Sequence, residues 1–164
     1  MSEDTDRQAR LTQVAAIAVA LEKQTQCPAP MMIAQWAVES RWGAKPVGHA
    51  NYFGIKKNSR DPESCTEPTI EVIDGKPVEE ELQFADYDSL EDSCRDYAAL
   101  ITTGEPYSAA WEQYSVDRNL NALIVAVAAK YASDPGYGAL VSLIANQTNV
   151  QRAIVAARRE ALGV

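Results

Sequence analysis

Apolar residues recur at helical spacing on both sides of a single Asp-Gly turn, and this arrangement limits the chain to a small set of folds. Leu11, Val14, Ala15, Ala18 and Leu21 fall three or four positions apart, which predicts an amphipathic helix over residues 6–26. Pro28 and Pro30 end it and open a second helix over residues 30–41, since the first helical turn does not use the N–H that proline lacks. Polar residues, charges and two prolines mark residues 58–68 as a loop. Two β-compatible runs, 69–73 and 76–84, flank Asp74-Gly75 and predict a hairpin with a two-residue turn. Asp88 and Glu91 have capping-box spacing and predict a helix running to about residue 102. Residues 108–114 read as a short helix, and Leu120, Leu123, Ile124, Val127 and Tyr131 share one face of a longer one. Asp134-Pro135 opens a helix over 135–146, and Asn149 caps a last helix that ends near Gly163. Helices before and after one small hairpin predict a mainly α fold of the α+β class, in a single domain over residues 1–164.

The charge balance removes whole classes of function. A formal net charge of -8 opposes nucleic-acid binding, which needs a basic face to neutralise phosphates. It opposes anionic membrane surfaces for the same reason. The longest apolar runs, 14–21 and 122–129, are too short to span a bilayer, so no membrane insertion is expected. The N-terminus, Met-Ser-Glu-Asp-Thr-Asp-Arg, lacks the basic and then apolar regions of an export signal, so the chain is expected to be soluble and without a signal peptide. Cys27, Cys65 and Cys94 are odd in number and without close pairs, which is no disulfide framework. With His49 they match no zinc spacing; small buried or half-buried thiols are expected, and neither a metal nor a cofactor is required.

The segment that carries chemistry is Gln35-Trp36-Ala37-Val38-Glu39-Ser40-Arg41-Trp42-Gly43. On a continuous helix Trp36 lies one turn before Glu39 and Trp42 one turn after, so two rings would shield one carboxyl. Desolvation disfavours the carboxylate and raises its pKa. Glu39 also falls near the C-terminal end of its helix, where the macrodipole is negative and a charge is unfavourable. Both effects keep the acid protonated at higher pH, as a glycosidase requires of the group that protonates a leaving oxygen. Twelve residues on, Asn51-Tyr52-Phe53-Gly54-Ile55-Lys56 combines rings, an amide and a flexible glycine, a composition that suits a sugar cleft.

At these residues the chain resembles the glucosaminidase domain of bacterial autolysins and flagellar peptidoglycan hydrolases, the endo-β-N-acetylglucosaminidase-like branch of the lysozyme superfamily. Residues 35–43 are similar to its acid-bearing Gln-Ala-x-x-Glu-Ser-x-Trp-Gly, and 51–56 to its Asn-x-Phe-Gly-Ile-Lys. Residues 84–93 with Asp96-Tyr97 are similar to its Phe-x-x-Tyr-x-Ser-x-x-x-Ser and Asp-Tyr, and 131–137 to its Tyr-Ala-Thr-Asp-Pro-x-Tyr. Four pieces in the right order span residues 35–137.

The resemblance implies a lysozyme-like helical domain with one small hairpin, acting on the glycan strands of peptidoglycan at the cell wall, whether extracellular or periplasmic; a monomer is expected. Glu39 matches the catalytic acid. Glu71, four residues before Gly75, matches a second acidic residue on the hairpin, and Tyr131 matches a cleft tyrosine. Trp42, Asn51, Phe53, Gly54 and Tyr137 are expected to bind the substrate. Three departures stand out: Trp36 where the family has Ala, Arg41 where it often has Gly, and a hairpin crowded by Glu79, Glu80 and Glu81. Glu39 would protonate the glycosidic oxygen of a β-1,4 bond. The step is completed by Glu71 as base, by Glu71 as nucleophile, or by the substrate's own acetamido oxygen with Tyr131 and Glu71 stabilising charge. A lytic transglycosylase or muramidase of the same superfamily, and a non-catalytic glycan-binding or assembly module, are the competing readings.

Overall fold

The computed structural model describes residues 2–60 and 64–164. Along the chain run α1 (Glu3–Thr25), α2 (Ala29–Glu39), β1 (Ser64–Ile73), β2 (Lys76–Ala85), α3 (Leu90–Thr103), α4 (Ser108–Asp117), α5 (Leu120–Tyr131), α6 (Tyr137–Ala145) and α7 (Thr148–Leu162). This is the mainly helical, lysozyme-like architecture that the sequence predicts.

Helix α2 is the centre of the packing. Met31, Met32, Ile33, Ala34, Gln35, Trp36 and Ala37 are all buried, so the helix is covered on every side, as an apolar helix must be. Helices α1, α3, α6 and α7 pack around it. Each large side chain so buried contributes about 1.5–3 kcal/mol. The α1 stripe of Leu11, Val14, Ala15, Ala18 and Leu21 faces this core, as its spacing predicts. α1 starts three residues earlier than expected because the Ser2 hydroxyl accepts the Thr5 N–H and caps it.

The hairpin is antiparallel, with Ile73 opposite Lys76 across the Asp74-Gly75 turn. Both turn residues have positive φ, 52° and 75°, which matches the right-handed twist of the strands. β1 begins at Ser64 rather than residue 69, so the expected loop is shorter; its residues 61–63 lie outside those described. Pro68, one of the two prolines of the expected loop, sits opposite Glu81 in a two-stranded ribbon whose outer edges need no partner. The base of the hairpin is tied down by Lys57 N–H to the Gln83 carbonyl and Ala85 N–H to the Ile55 carbonyl, both 3.0 Å. Its far end projects: Ile70 and Val72 are 74% and 73% exposed.

The later helix starts that depart from expectation do so by one or two residues, each for a local reason. Ser89, not Asp88, caps α3, its hydroxyl accepting the Asp92 N–H. Asp134 caps a turn that precedes α6, accepting the Gly136 N–H at 2.8 Å, so the helix begins at Tyr137 rather than 135. α7 starts after Gln147 and places Asn149 inside its first turn, not at the cap. α4 runs three residues past Tyr114. Cys27 and Cys94 are buried free thiols, and Cys65 is half-buried.

Candidate active site

Glu39 is the last residue of α2. The chain leaves the helix through Arg41, Trp42 and Gly43, three successive left-handed residues with φ of 50°, 58° and 79°. Ser40 locks this exit, donating to the Trp36 carbonyl and accepting the Gly43 N–H. The expected continuous helix through Trp42 is therefore not formed. Trp42 instead folds back edge-on against Trp36, with ring centres 6.2 Å apart. The Arg7 guanidinium lies 3.7 Å over its ring, and Arg10 donates to its carbonyl. The Trp36–Trp42 pair thus joins the end of α2 to α1, and one face of Trp42 is already taken by Arg7.

The carboxyl of Glu39 is enclosed by other groups. The Tyr137 hydroxyl donates to its Oε1 at 2.6 Å. Gly54 lies over Oε2: a Cβ added there would stand 3.1 Å from that oxygen. Gly54 has φ +63°, a conformation glycine adopts without strain, so a residue with no side chain is needed here twice over. Burial pushes the pKa of Glu39 above the ordinary carboxylate value, and the Tyr137 hydrogen bond opposes this in part. The raised pKa that the sequence predicts is present, with Gly54 and Tyr137 as the groups in contact with the acid.

A buried relay fixes Tyr137. Gln35 Nε2 donates to the Tyr137 oxygen at 3.1 Å, so the tyrosine must spend its own proton on Glu39. The Tyr97 hydroxyl in turn donates to Gln35 Oε1. Tyr137 stacks on Tyr131 with rings 4° from parallel and centres 6.1 Å apart. Tyr131 is half-buried and donates to the Phe53 carbonyl, so its hydroxyl holds the turn that carries Gly54.

Two expected sugar contacts turn out to be internal. Asn51 is 1% exposed, and its amide is fully used: Nδ2 donates to the Ile55 and Ala85 carbonyls, and Oδ1 accepts from the Phe53 and Ile55 N–H groups. Phe53 is fully buried and stacks on Tyr97, 4.4 Å between centres. These two side chains do not face the cleft; they shape the loop that presses Gly54 onto the acid. Asp86 anchors the same loop, its Oδ1 accepting the His49 and Ala50 N–H groups.

Glu71 lies on β1 opposite Val78, exposed, and its carboxylate makes no hydrogen bond or ion pair among the described residues. Strand alternation puts it on the face of Cys65, Glu67 and Thr69, the half-buried side of the hairpin. Gln35 and Tyr97 are site residues that sequence reasoning missed. Gln35 gave a signal, being a polar residue in an apolar helix one turn before Glu39. Among the described residues no three His, Cys, Asp or Glu side chains are grouped to hold a metal ion.

A family model described as mannosyl-glycoprotein endo-beta-N-acetylglucosaminidase, the glucosaminidase family, matches residues 15–150. A probable N-acetylmuramidase of Lactococcus lactis subsp. lactis is 34% identical over 130 residues, covering 74% of this chain and 29% of the relative. Peptidoglycan hydrolase FlgJ of Pseudomonas aeruginosa is 34% identical over 140 residues, 80% of this chain and 34% of the relative. The chain therefore spans about a third of the length of these curated relatives. Among solved structures, the catalytic domain of the autolysin Auto from Listeria monocytogenes matches with a TM-score of 0.76 at 26% identity, covering 93% of this chain and 90% of that one. By the extent of the family match and by the identity to these relatives, the chain belongs to the glucosaminidase family.

Proposed function

We propose that the protein hydrolyses the glycan strand of peptidoglycan as an endo-β-N-acetylglucosaminidase, with Glu39 as general acid. The observation that carries this reading is the setting of the Glu39 carboxyl: half-buried at a helix C-terminus, one oxygen bonded to Tyr137, the other under Gly54, its pKa raised. Such a group holds its proton until a glycosidic oxygen arrives, then delivers it as the bond breaks toward an oxocarbenium-like transition state. The membership of the family and the peptidoglycan-hydrolase relatives support the choice of substrate.

Glu71 is the candidate second carboxylate. On the exposed far half of the hairpin it reaches the sugar only when that ribbon folds down over a bound strand, a closure of the kind that completes many active sites. Closure then serves whichever route follows: general base for water, nucleophile, or stabilisation of a charge formed by the acetamido oxygen. Tyr131 acts on the acid's position through the Phe53–Gly54 turn.

The name of the Lactococcus relatives favours a second specificity, cleavage on the muramic side of the same strand. Mass spectrometry of digested peptidoglycan separates the two. Reducing N-acetylglucosamine ends are expected; reducing muramic ends would replace the proposed bond, and anhydro-muramic ends would replace hydrolysis by a lytic reaction.

A further inference from the structure

A cavity of about 360 Å³ adjoins the acid and shares Gly54 and Tyr131 with it. Its floor is apolar, from Ile55, Leu100 and Tyr107. Its rim is basic: Lys56, Lys57, Arg60 and Lys130 line it, against a single carboxylate, Glu105. In a chain of net charge -8 with only 15 Lys and Arg, four cations around one cavity is a local reversal of sign. Arg60 is paired with Asp96 at 2.9 Å. Lys56, Lys57 and Lys130 are exposed and have no ion-pair partner among the described residues.

The backbone that carries these lysines is fixed relative to the acid. Lys56 bridges to Phe84 and the Lys57 N–H donates to the Gln83 carbonyl, so both sit at the fixed base of the hairpin. Lys130 precedes Tyr131 in the last turn of α5. Clefts lined by one sign of charge focus the field and concentrate ions of the other sign. N-acetylglucosamine offers such a rim hydroxyl and acetamido oxygens but no charge to pair with. In peptidoglycan every second sugar carries, through a lactyl ether, a short peptide with free carboxylates.

We propose that this cavity is the binding site for the carboxylate-bearing peptide stem of the muramyl residue next to the scissile bond. The inference rests on the glycan-strand reading above and adds to it that the enzyme recognises the stem as well as the sugars. The apolar floor takes the lactyl and alanyl methyl groups while Lys56, Lys57 and Lys130 meet the carboxylates.

The test measures binding of the Glu39→Gln protein to peptide-bearing glycan strands and to the same strands stripped of peptide by an amidase, which leaves each muramyl residue its lactyl carboxylate but none of those of the stem. The charge contacts that only the stem carboxylates can make predict up to about a tenfold preference for peptide-bearing strands, weakening as salt is raised. A Lys56→Ala/Lys57→Ala/Lys130→Ala variant should bind both strands alike, and the corresponding triple arginine variant should keep the preference. Equal affinity for the two strands before the lysines are changed, or a preference that survives the triple alanine variant, overturns the proposal. Failure of the glycosidase reading looks different: the wild-type protein would cleave neither strand, whatever its binding preference.

Discussion

A Gly54→Ala substitution places a methyl group directly against the acid. Two terms follow from the geometry. First, φ +63° is a left-handed conformation that an L residue adopts at about 1–2 kcal/mol. For a domain of this size that lowers Tm by about 2–8 °C. Second, the new Cβ would sit 3.1 Å from Glu39 Oε2, against 3.4–4 Å for ordinary contact, so the carboxyl must withdraw by a few tenths of an ångström. A displacement of about 1 Å costs about 10²-fold in rate, so this one should lower kcat about three- to tenfold. The methyl group also excludes water from an acid whose pKa burial has already raised. With Glu39 as the proposed general acid, activity falls as pH rises through its pKa, and a further rise moves that alkaline limb to higher pH. The assay is the pH profile of kcat on isolated glycan strands, with Tm by calorimetry. A wild-type kcat and an unmoved limb in a protein whose Tm falls as calculated would show that Gly54 does not lie against the working acid.

Three other substitutions separate chemistry from scaffold. Tyr137→Phe removes the hydrogen bond that lowers the pKa of Glu39, so the alkaline limb should move to higher pH and kcat should fall several-fold; a limb that moves down contradicts the assignment. Asn51→Ala takes the amide from four buried backbone groups, of which the Ile55 carbonyl keeps the Ala85 N–H, and should cost at least about 2–3 kcal/mol, read as a shift in the denaturant midpoint; a neutral effect would mean that the loop does not depend on this amide. Glu71→Gln changes an exposed residue, so Tm should stay within about 2 °C of wild type while turnover drops by about a hundredfold; unchanged turnover would remove Glu71 from the mechanism.

The helical frame was readable because its signals are local. Pro28 and Pro30 with an apolar run predict α2, and Asp74-Gly75 predicts the hairpin turn, each from neighbours in sequence. What escaped depends on distant partners or on strained backbone. Arg41 and Trp42 adopt positive φ, which residue preference argues against, so Trp42 looked like a helical shield of Glu39. Asn51 has a side chain equally able to bind sugar or backbone, and its bond to Ala85, 34 residues away, settles the matter. The hydrogen bonds of Gln35 reach Tyr97 and Tyr137, 62 and 102 residues on, so only the folded chain brings the relay together. Pro68 masked the first half of β1, because a two-stranded ribbon tolerates a proline that a central strand would not.

Glu39 carries the account, and Glu39→Gln tests it with one change of atom type. Glutamine keeps the shape and can still accept the Tyr137 hydrogen bond, but it has no proton to give. Because burial raises the folded-state pKa of Glu39, the carboxylate is a burden to the fold that grows as pH rises through that pKa and is absent in acid. The variant should therefore be at least as stable as wild type at neutral pH, with the gain vanishing as the pH falls below the unfolded-state pKa. The decisive measurement is the rate at which each protein clears a peptidoglycan suspension. A folded Glu39→Gln protein that clears it at least about a hundredfold more slowly is the predicted result; one that clears it at the wild-type rate contradicts Glu39 as the acid.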